Sequence, residues 1–134
     1  MPSQGHDVEK QIRDMLNTYY NALDKGVEQA LNSTMAKGLQ MIQRAGGYHD
    51  RSGRYRRGFR IDLKRLKAGS RLGVLYNTRW PLTHLLESGH EIRRTRNGPS
   101  YGRAPGFPHW DQTEQSMLAL YDRLIEDAVR NARG

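Results

Sequence analysis

The spacing of apolar residues changes twice along this 134-residue chain, and this feature constrains the fold more than any other. Over residues 8–42 the apolar positions recur at three- and four-residue steps, which is the period of an amphipathic helix. Over residues 59–76 they alternate with a period of two, as in half-buried strands. Over residues 117–129 the helical period returns. We therefore predict an α+β fold, with a small antiparallel β-sheet packed against N-terminal and C-terminal α-helices.

The first helical pattern covers residues 7–45. Its apolar side chains follow at four- and three-residue steps and stack on one face: Val8, Ile12, Met15, Tyr19 and Leu23. Asp7 is a suitable N-cap residue. The pattern is interrupted at residues 24–26, where Gly26 is of a type that commonly ends helices. The segment is compatible with two helices or with one bent helix.

The period-two segment predicts a β-hairpin over residues 54–77. Phe59, Ile61 and Leu63 alternate with charged residues and are expected to point toward a core. After a turn at 67–70, a second run repeats the alternation with Leu72, Val74 and Tyr76. The outer face of the hairpin is expected to carry much of the basic charge.

Two further segments follow the hairpin. Pro81 is well placed in the first turn of a short helix over residues 81–88. Residues 89–108 are rich in Gly and Pro and predict a long loop or an irregular β-ribbon. Loops of this length in a compact domain usually serve a function or become ordered by a partner.

The last segment predicts a C-terminal helix over residues 111–131. Asp111 and Glu114 resemble a capping box at its start, with Asp in place of Ser or Thr. With this helix, residues 1–134 are predicted to form a single domain, which is an ordinary size for one.

Composition argues against several classes of protein. The chain has no Cys, so it can hold neither a disulfide nor a thiolate metal site. Its mean hydropathy is −0.87, and no apolar run approaches the ~20 residues of a membrane-spanning helix. The first residues lack the pattern of a secretion signal, so we expect a soluble protein that does not use that export route.

The positive charge is concentrated in the middle of the chain. The net charge is +8, and residues 50–103 carry 14 Lys and Arg against four Asp and Glu. Such a segment fits either a nucleic-acid footprint or a contact with acidic helices of another subunit. Arginines interleave with Tyr55 and Phe59, which would suit phosphate contacts and base stacking. Because Phe59 continues the inward stripe, we favour core positions for both aromatic residues.

The histidines around residue 87 lack the spacing of a known metal site. His84, Glu87 and His90 are three and three residues apart, which differs from the His-Glu-x-x-His spacing of zinc helices. We expect no metal and no cofactor, and we interpret His84 and Glu87 as a pair at a helix end. Without a nucleophile elbow or a phosphate-binding glycine loop, the chain is predicted not to be an enzyme. An RNA-cleaving enzyme that uses His49 or His84 stays an alternative.

Three short stretches resemble the sequence pattern of one protein family. Residues 52–59 (Ser-Gly-Arg-Tyr-Arg-Arg-Gly-Phe) resemble Thr-Gly-x-Tyr-x-x-Gly-Trp. Residues 83–90 (Thr-His-Leu-Leu-Glu-Ser-Gly-His) resemble Thr-His-Leu-Leu-Glu-x-Gly-His. The pair Pro108 and His109, before the last helix, resembles Pro-His-Ile in the same place. Together these stretches resemble the minor tail or head–tail joining proteins of long-tailed bacteriophages, also called tail-completion or neck proteins.

The resemblance covers nearly the whole chain. It departs from the pattern at Phe59, where Trp is usual, at Trp110, where Ile is usual, and at residues 89–108, where the loop is longer. It implies a non-enzymatic structural protein of the virion, made in the host cytoplasm and assembled as a homo-oligomeric ring at the head–tail junction. The implied partners are the head-closure or connector protein, the tail terminator and the tail tube, with no membrane. Contact with DNA passing through the ring is left open, and a basic nucleic-acid-binding module is the alternative function.

A ring needs a head-to-tail contact between two different patches of the subunit, and opposite charges can steer such a contact. We therefore expect the basic strand over residues 54–67 and the loop over 89–108 to contact neighbouring molecules. The expected interaction residues are charged or histidine side chains of these segments and of the short helix between them: Arg54, Arg56, Arg57, Arg60, His84, Glu87, His90, Arg93, Arg94, Arg96 and Arg103.

Overall fold

The computed structural model describes residues 4–88, 90–91 and 97–134. Two long helices pack with a small antiparallel sheet made by β1 and β2, which confirms the predicted α+β class. The ends of α1, α3 and α4 lie within three residues of those predicted. The helices and strands follow in this order: α1 (Gln4–Arg44), α2 (Arg54–Arg57), β1 (Phe59–Arg65), β2 (Arg71–Asn77), α3 (Trp80–Ser88), β3 (His90–Glu91), β4 (Arg103–Ala104) and α4 (Trp110–Ala132).

The helices α1 and α4 run antiparallel and approach each other closely. Gly26 lies against Ala128, and Gly38 lies against Met117. A Cβ atom at position 26 would come within 2.8 Å of the Cβ of Ala128, so only glycine permits the two backbones to lie this close. The interruption at residues 24–26 is therefore a packing feature, and α1 is a single helix of 41 residues.

The core lies beside the C-terminal half of α1 and is rich in aromatic rings. Ile42, Tyr48, Tyr55 and Phe59 are buried together. The rings of Tyr55 and Phe59 meet edge to face with 5.1 Å between their centroids, an arrangement that aromatic pairs favour. The predicted core positions of these two residues are confirmed.

The hairpin begins at Phe59, because the first residues of the predicted strand form the helical turn α2 instead. The carboxylate of Asp50 accepts hydrogen bonds from the backbone N–H groups of Gly53 and Arg56, at 3.0 and 2.9 Å. Local capping of this kind gives the backbone an alternative to strand pairing. The basic strand predicted over residues 54–67 is therefore wrong in its first part.

The second strand of the hairpin has its apolar alternation on the exposed face. Phe59 of β1 lies opposite Asn77 of β2, and directly opposed residues share one face of a sheet. Because Phe59 is in the core, the core-facing positions of β2 are Gly73, Leu75 and Asn77. The intervening apolar side chains are between 37 % and 44 % exposed: Leu72, Val74 and Tyr76.

The segment predicted as a long loop over residues 89–108 contains a short antiparallel pairing. Residues 90–91 of β3 pair with residues 103–104 of β4. This part of the segment is therefore a short β-ribbon, which is one of the two predicted forms. Residues 89 and 92–96 lie outside the described part of the chain.

The N-terminal half of α1 extends past its partner helix. The end of α4 at Ala132 and Ala22 of α1 border the same cavity, and every residue over 7–18 is exposed. We call residues 4–21 the arm and the rest of the described chain the body. At about 1.5 Å per residue, the arm extends for roughly 27 Å. The first members of the predicted apolar stripe, Val8, Ile12 and Met15, are exposed on the arm, and the neighbouring Leu16 and Tyr20 are exposed beside them.

The chain exposes more surface than a compact monomer of its mass. Its accessible surface is 10173 Å². A compact monomer of 15.4 kDa exposes roughly 7,200 Å². The uncovered arm and the exposed face of β2 contribute to this excess. Large exposed apolar surfaces are typical of sites that contact other proteins, membranes or ligands.

We predict that Gly26→Val destabilises the protein, because its side chain would collide with Ala128 and separate α1 from α4. The expected loss of unfolding free energy is about 2 kcal/mol, as for other overpacked sites. Urea unfolding followed by circular dichroism measures this loss. The control is Ala36→Val on the exposed side of α1, for which about 0.5 kcal/mol is expected from helix propensity. Equal losses in the two variants would contradict the close approach of the helices.

Candidate functional site

The three stretches that carry the family resemblance meet in one cluster of the structure. The hydroxyl of Tyr55 lies 3.2 Å from Oγ1 of Thr83 and 2.7 Å from Nε2 of His109. On the other side of the imidazole, Nδ1 of His109 lies 2.8 Å from Oε1 of Glu87 and 2.9 Å from the carbonyl oxygen of Phe107. We call Tyr55, Thr83, Glu87 and His109 the motif cluster.

The hydrogen-bond roles in the motif cluster follow from the partners of the imidazole. Nδ1 of His109 faces two oxygen acceptors, so it carries a hydrogen and donates it. In the neutral ring, Nε2 then has no hydrogen and accepts a hydrogen bond from the hydroxyl of Tyr55. Burial raises the pKa of Tyr55, so this hydroxyl keeps its proton at neutral pH.

Glu87, at the end of α3, caps the N-terminus of α4. Its Oε1 accepts hydrogen bonds from the backbone N–H groups of His109 and Trp110 at 2.8 and 3.0 Å, and Oε2 accepts one from Asp111 at 3.4 Å. The first N–H groups of a helix have no partner within the helix, and its N-terminus favours negative charge. The capping box predicted at Asp111 and Glu114 is therefore wrong, since a carboxylate from another helix caps α4.

The same hydrogen bonds shift the pKa of Glu87. Burial would raise this pKa, but the backbone donors of Trp110, His109 and Asp111 and the nearby imidazole outweigh burial. The pKa of Glu87 is therefore lower than its ordinary value of 4.5. The carboxylate stays charged to a lower pH in the folded chain than in the unfolded chain.

In the motif cluster, hydrogen bonds connect a carboxylate to an imidazole and the imidazole to a hydroxyl. Hydrogen-bonded groups of these types transfer protons in many enzymes. His109 is 0 % exposed and Tyr55 is 2 % exposed. A substrate cannot reach either group in this conformation. The effect of the cluster in the structure is to join α2, α3 and the start of α4.

Arg56 also has a role inside the subunit. Its guanidinium donates hydrogen bonds to the carbonyl oxygens of Gln43, Ala45 and Gly46 at 3.0, 2.9 and 3.0 Å. It also lies 4.2 Å from the centre of the Tyr48 ring. The last carbonyl groups of a helix lack partners within it and carry partial negative charge. Arg56 therefore caps the C-terminus of α1 and ties α2 to it.

Other arginines of the expected interaction set face solvent. Arg54, Arg57 and Arg60 are exposed on α2 and β1, and Arg103 is exposed on β4. Arg57 donates to the carbonyl oxygen of Ser52 at 2.8 Å, a contact within its own turn. Arg60 donates to the carbonyl oxygens of Arg57 and Phe59, and Arg103 donates to that of Ser88 at 3.0 Å. We call Arg54, Arg57, Arg60 and Arg103 the exposed arginines.

The rest of the expected set is only partly covered by the structure. The backbones of His84 and His90 lie in α3 and β3, whereas their side chains are outside the described part. The predicted pair of His84 with Glu87 therefore stays a prediction. Arg93, Arg94 and Arg96 lie outside the described residues altogether.

Sequence reasoning missed an ion-pair cluster that holds the hairpin against α1. Arg71 of β2 donates to both carboxylate oxygens of Asp24, at 2.6 and 3.1 Å, and to Glu28 at 3.3 Å. The hydrogen bond from Arg71 lowers the pKa of Asp24. Two carboxylates four residues apart lie on one helix face, and this spacing was the available signal. The sequence does not show that Arg71 is on the face of β2 that meets α1, so the partner of these carboxylates could not be identified from it.

Comparisons with known proteins give no further information on the site. Neither the family models, nor the curated proteins, nor the solved structures contain a match to this chain. Within the described residues, no three or more His, Asp or Glu side chains are grouped in a way that could hold a metal ion. The helices of that same part include none with the length and apolar character needed to cross a bilayer.

We predict that Glu87→Gln lowers stability and flattens its dependence on acidic pH. Because the folded-state pKa is below 4.5, the stabilisation is complete above the unfolded-state pKa and is lost as the pH falls through the folded-state pKa. The variant should lose about 1 kcal/mol at pH 7, where the charged cap is missing. Below about pH 4.5 the difference from the wild type should shrink. Urea unfolding at a series of pH values measures both effects.

The matched control for this prediction is Glu114→Gln, which removes an exposed carboxylate from α4, the helix that Glu87 caps. It should leave the pH profile close to that of the wild type. The contribution of Asp24, whose pKa is also lowered, is common to all three proteins. An E87Q profile parallel to the wild-type profile would count against the capping role.

We predict that Arg56→Ala destabilises the protein far more than Arg57→Ala. Removal of Arg56 leaves carbonyl groups at the end of α1 without their donor, at a cost of about 2–3 kcal/mol. Arg57 is exposed, so its replacement should change stability by no more than about 0.5 kcal/mol. Each variant removes one positive charge from neighbouring positions, and urea unfolding compares them. Equal losses would refute the role of Arg56 at the end of α1.

Proposed function

We propose that this chain is a structural protein of a tailed-bacteriophage virion, which forms part of the head–tail junction as a ring-forming adaptor. The observation that carries the proposal is the meeting of the three resembling stretches in the motif cluster. Short stretches that match a pattern by chance have no reason to contact each other. Here Tyr55, Thr83, Glu87 and His109 depend on one another for their hydrogen bonds.

The proposed role is passive and depends on shape and surface chemistry. The motif cluster fixes how α2, α3 and α4 meet, so its residues act as scaffold. The surfaces left for partners are the arm, the exposed face of β2 and the exposed arginines. No bond is made or broken and no cofactor is needed for such a role.

The proposed partners are further copies of the chain, the head-closure or connector protein, the tail terminator and the tail tube. The net charge of +8 favours partners with acidic surfaces. Charge complementarity of this kind raises association rates and fixes register more than it raises affinity. The proposed location is therefore the neck of the mature particle, after synthesis in the host cytoplasm.

A second candidate function is binding of nucleic acid, and the exposure of Arg54, Arg57 and Arg60 on consecutive elements favours it. Binding through phosphates weakens steeply as salt concentration rises, because neutralised phosphates release counterions. A fluorescence titration of the pure chain with duplex and single-stranded DNA over a range of salt concentrations tests this function directly.

The proposed function is tested by disrupting the gene in a tailed phage that encodes this chain. Filled heads and complete tails should accumulate without joining, and a copy of the gene supplied separately should restore particles. Electron microscopy of the lysate and mass spectrometry of purified wild-type particles give the two readouts. Joined infectious particles that form without the protein would overturn the proposal.

We predict that Arg57→Glu combined with Arg60→Glu reduces particle joining without unfolding the subunit. Both side chains are exposed, so the unfolding free energy should change by no more than about 1 kcal/mol for the pair. Complementation titre should fall by roughly tenfold or more, since like charges facing each other cost several kcal/mol in an interface. Arg56 is left intact because it holds the end of α1.

The control for this charge reversal is Arg123→Glu combined with Arg133→Glu. Both residues are exposed on or after α4, and the change in net charge is the same. If the control lowers the titre as much, the effect is one of total charge. If neither pair affects joining while the Arg57 and Arg60 pair abolishes salt-dependent DNA binding, the nucleic-acid function replaces the proposed one.

A further inference from the structure

We infer that the arm of one subunit docks into an apolar groove on the body of the next copy of this chain. The groove lies between α1, β2 and α4 and has a volume of about 330 Å³. Its lining is mainly apolar: Leu31, Met35, Leu75, Trp110, Met117 and Leu118. The contact joins two different patches of the same molecule. The idea that such contacts close a ring rests on the proposed function, whereas the contact itself does not.

The arm carries the apolar stripe that such a groove would receive. Val8, Ile12 and Leu16 follow at four-residue steps and are about half exposed, with Ile12 at 53 %. The same stripe continues into the body, where Ala30 and Thr34 are buried. The stripe is therefore continuous with the surface that α1 already packs against α4.

The groove offers a helix surface that is only partly covered within its own subunit. Leu118 of α4 is 57 % exposed at its edge, and Met117 and Tyr121 lie beside it. These side chains belong to the helix against which α1 packs in the body. A second apolar helix placed along the groove would meet the same type of surface that the first one meets.

The arm cannot reach the groove of its own subunit. α1 is one continuous helix, and Ile12 is separated from Leu31 by roughly 28 Å along the axis. Folding back would require a break in the region where Gly26 packs against Ala128. Complementary patches that are held apart in this way can meet only between two molecules.

The surface area supports a second copy as the occupant. The chain exposes 10173 Å², roughly 3,000 Å² more than a compact monomer of this mass. A specific contact buries about 800 Å² on each partner, so two contacts per subunit, one through the arm and one through the groove, fit within this excess. Head-to-tail contacts between unlike patches close into rings when the rotation permits it.

The inference is tested by sedimentation equilibrium of the full chain and of two variants. The arm variant combines Ile12→Glu with Leu16→Glu, and the groove variant is Leu118→Glu. We expect the wild type to self-associate as its concentration rises, and each variant alone to sediment as a 15.4-kDa monomer. A mixture of the two variants should form a species of twice the subunit mass, because one retains the groove and the other retains the arm.

Matched controls place the same charges on other faces. Asn17→Glu combined with Asn21→Glu changes exposed positions of α1 away from the stripe, and Ser116→Glu changes an exposed position of α4. Both controls should self-associate like the wild type. Circular dichroism and thermal unfolding show whether each variant retains its fold. The chain has no Cys, so single cysteines provide a second readout. When the Ile12→Cys and Leu118→Cys proteins are mixed, disulfide-linked dimers should form between them in preference to dimers of either variant alone.

Several results would overturn the inference. A wild-type chain that stays monomeric at millimolar concentration excludes the contact. A groove variant that still self-associates while the arm variant does not indicates an arm-to-arm contact instead. If the wild-type chain binds vesicles of anionic phospholipid, the arm variant does not, and neither self-associates, the partner of the arm is a membrane surface. If the mixed variants pair but phage particles join without this protein, only the proposed function fails.

Discussion

The carboxylate of Glu87 at the start of α4 is the contact on which the arrangement of the helices depends. It gives the first N–H groups of α4 their partners and places a negative charge at the positive end of the helix dipole. It also holds the end of α3 next to the start of α4, so the two ends of the segment that connects these helices lie side by side. From this point α4 runs back along α1, where small residues let the two backbones lie close together.

Much of the fold could be predicted from the sequence, because apolar spacing depends on local geometry. The covered face of the hairpin and the caps of the helices could not be predicted, since they depend on residues far apart in the chain. A period-two pattern identifies a strand but does not say which face is covered, and Leu72, Val74 and Tyr76 are exposed because Phe59 sets the register. The turn α2 depends on Asp50. The cap of α4 depends on Glu87, which no local capping rule would select.

The candidate site was likewise only partly predictable from the sequence. Sequence reasoning identified the segments of the motif cluster, but it could not separate Arg56, which holds the end of α1, from Arg57, which is exposed. That distinction needs the position of the last carbonyl groups of α1. The hydrogen-bonded residues inside the body thus form the scaffold, whereas charged groups and apolar area lie on its exposed surfaces.

The uninterrupted course of α1 has a consequence for how its length can vary. One residue inserted between Ala22 and the arm would rotate the apolar stripe by about 100° and advance it by about 1.5 Å, so the stripe would no longer face the groove in the contact that we infer. Seven inserted residues would return it to within about 20° of its direction while adding roughly 10 Å of reach. In the contact that we infer, the spacing between adjoining copies could therefore change only in steps of whole helical repeats, and not by gradual lengthening as with a flexible tether.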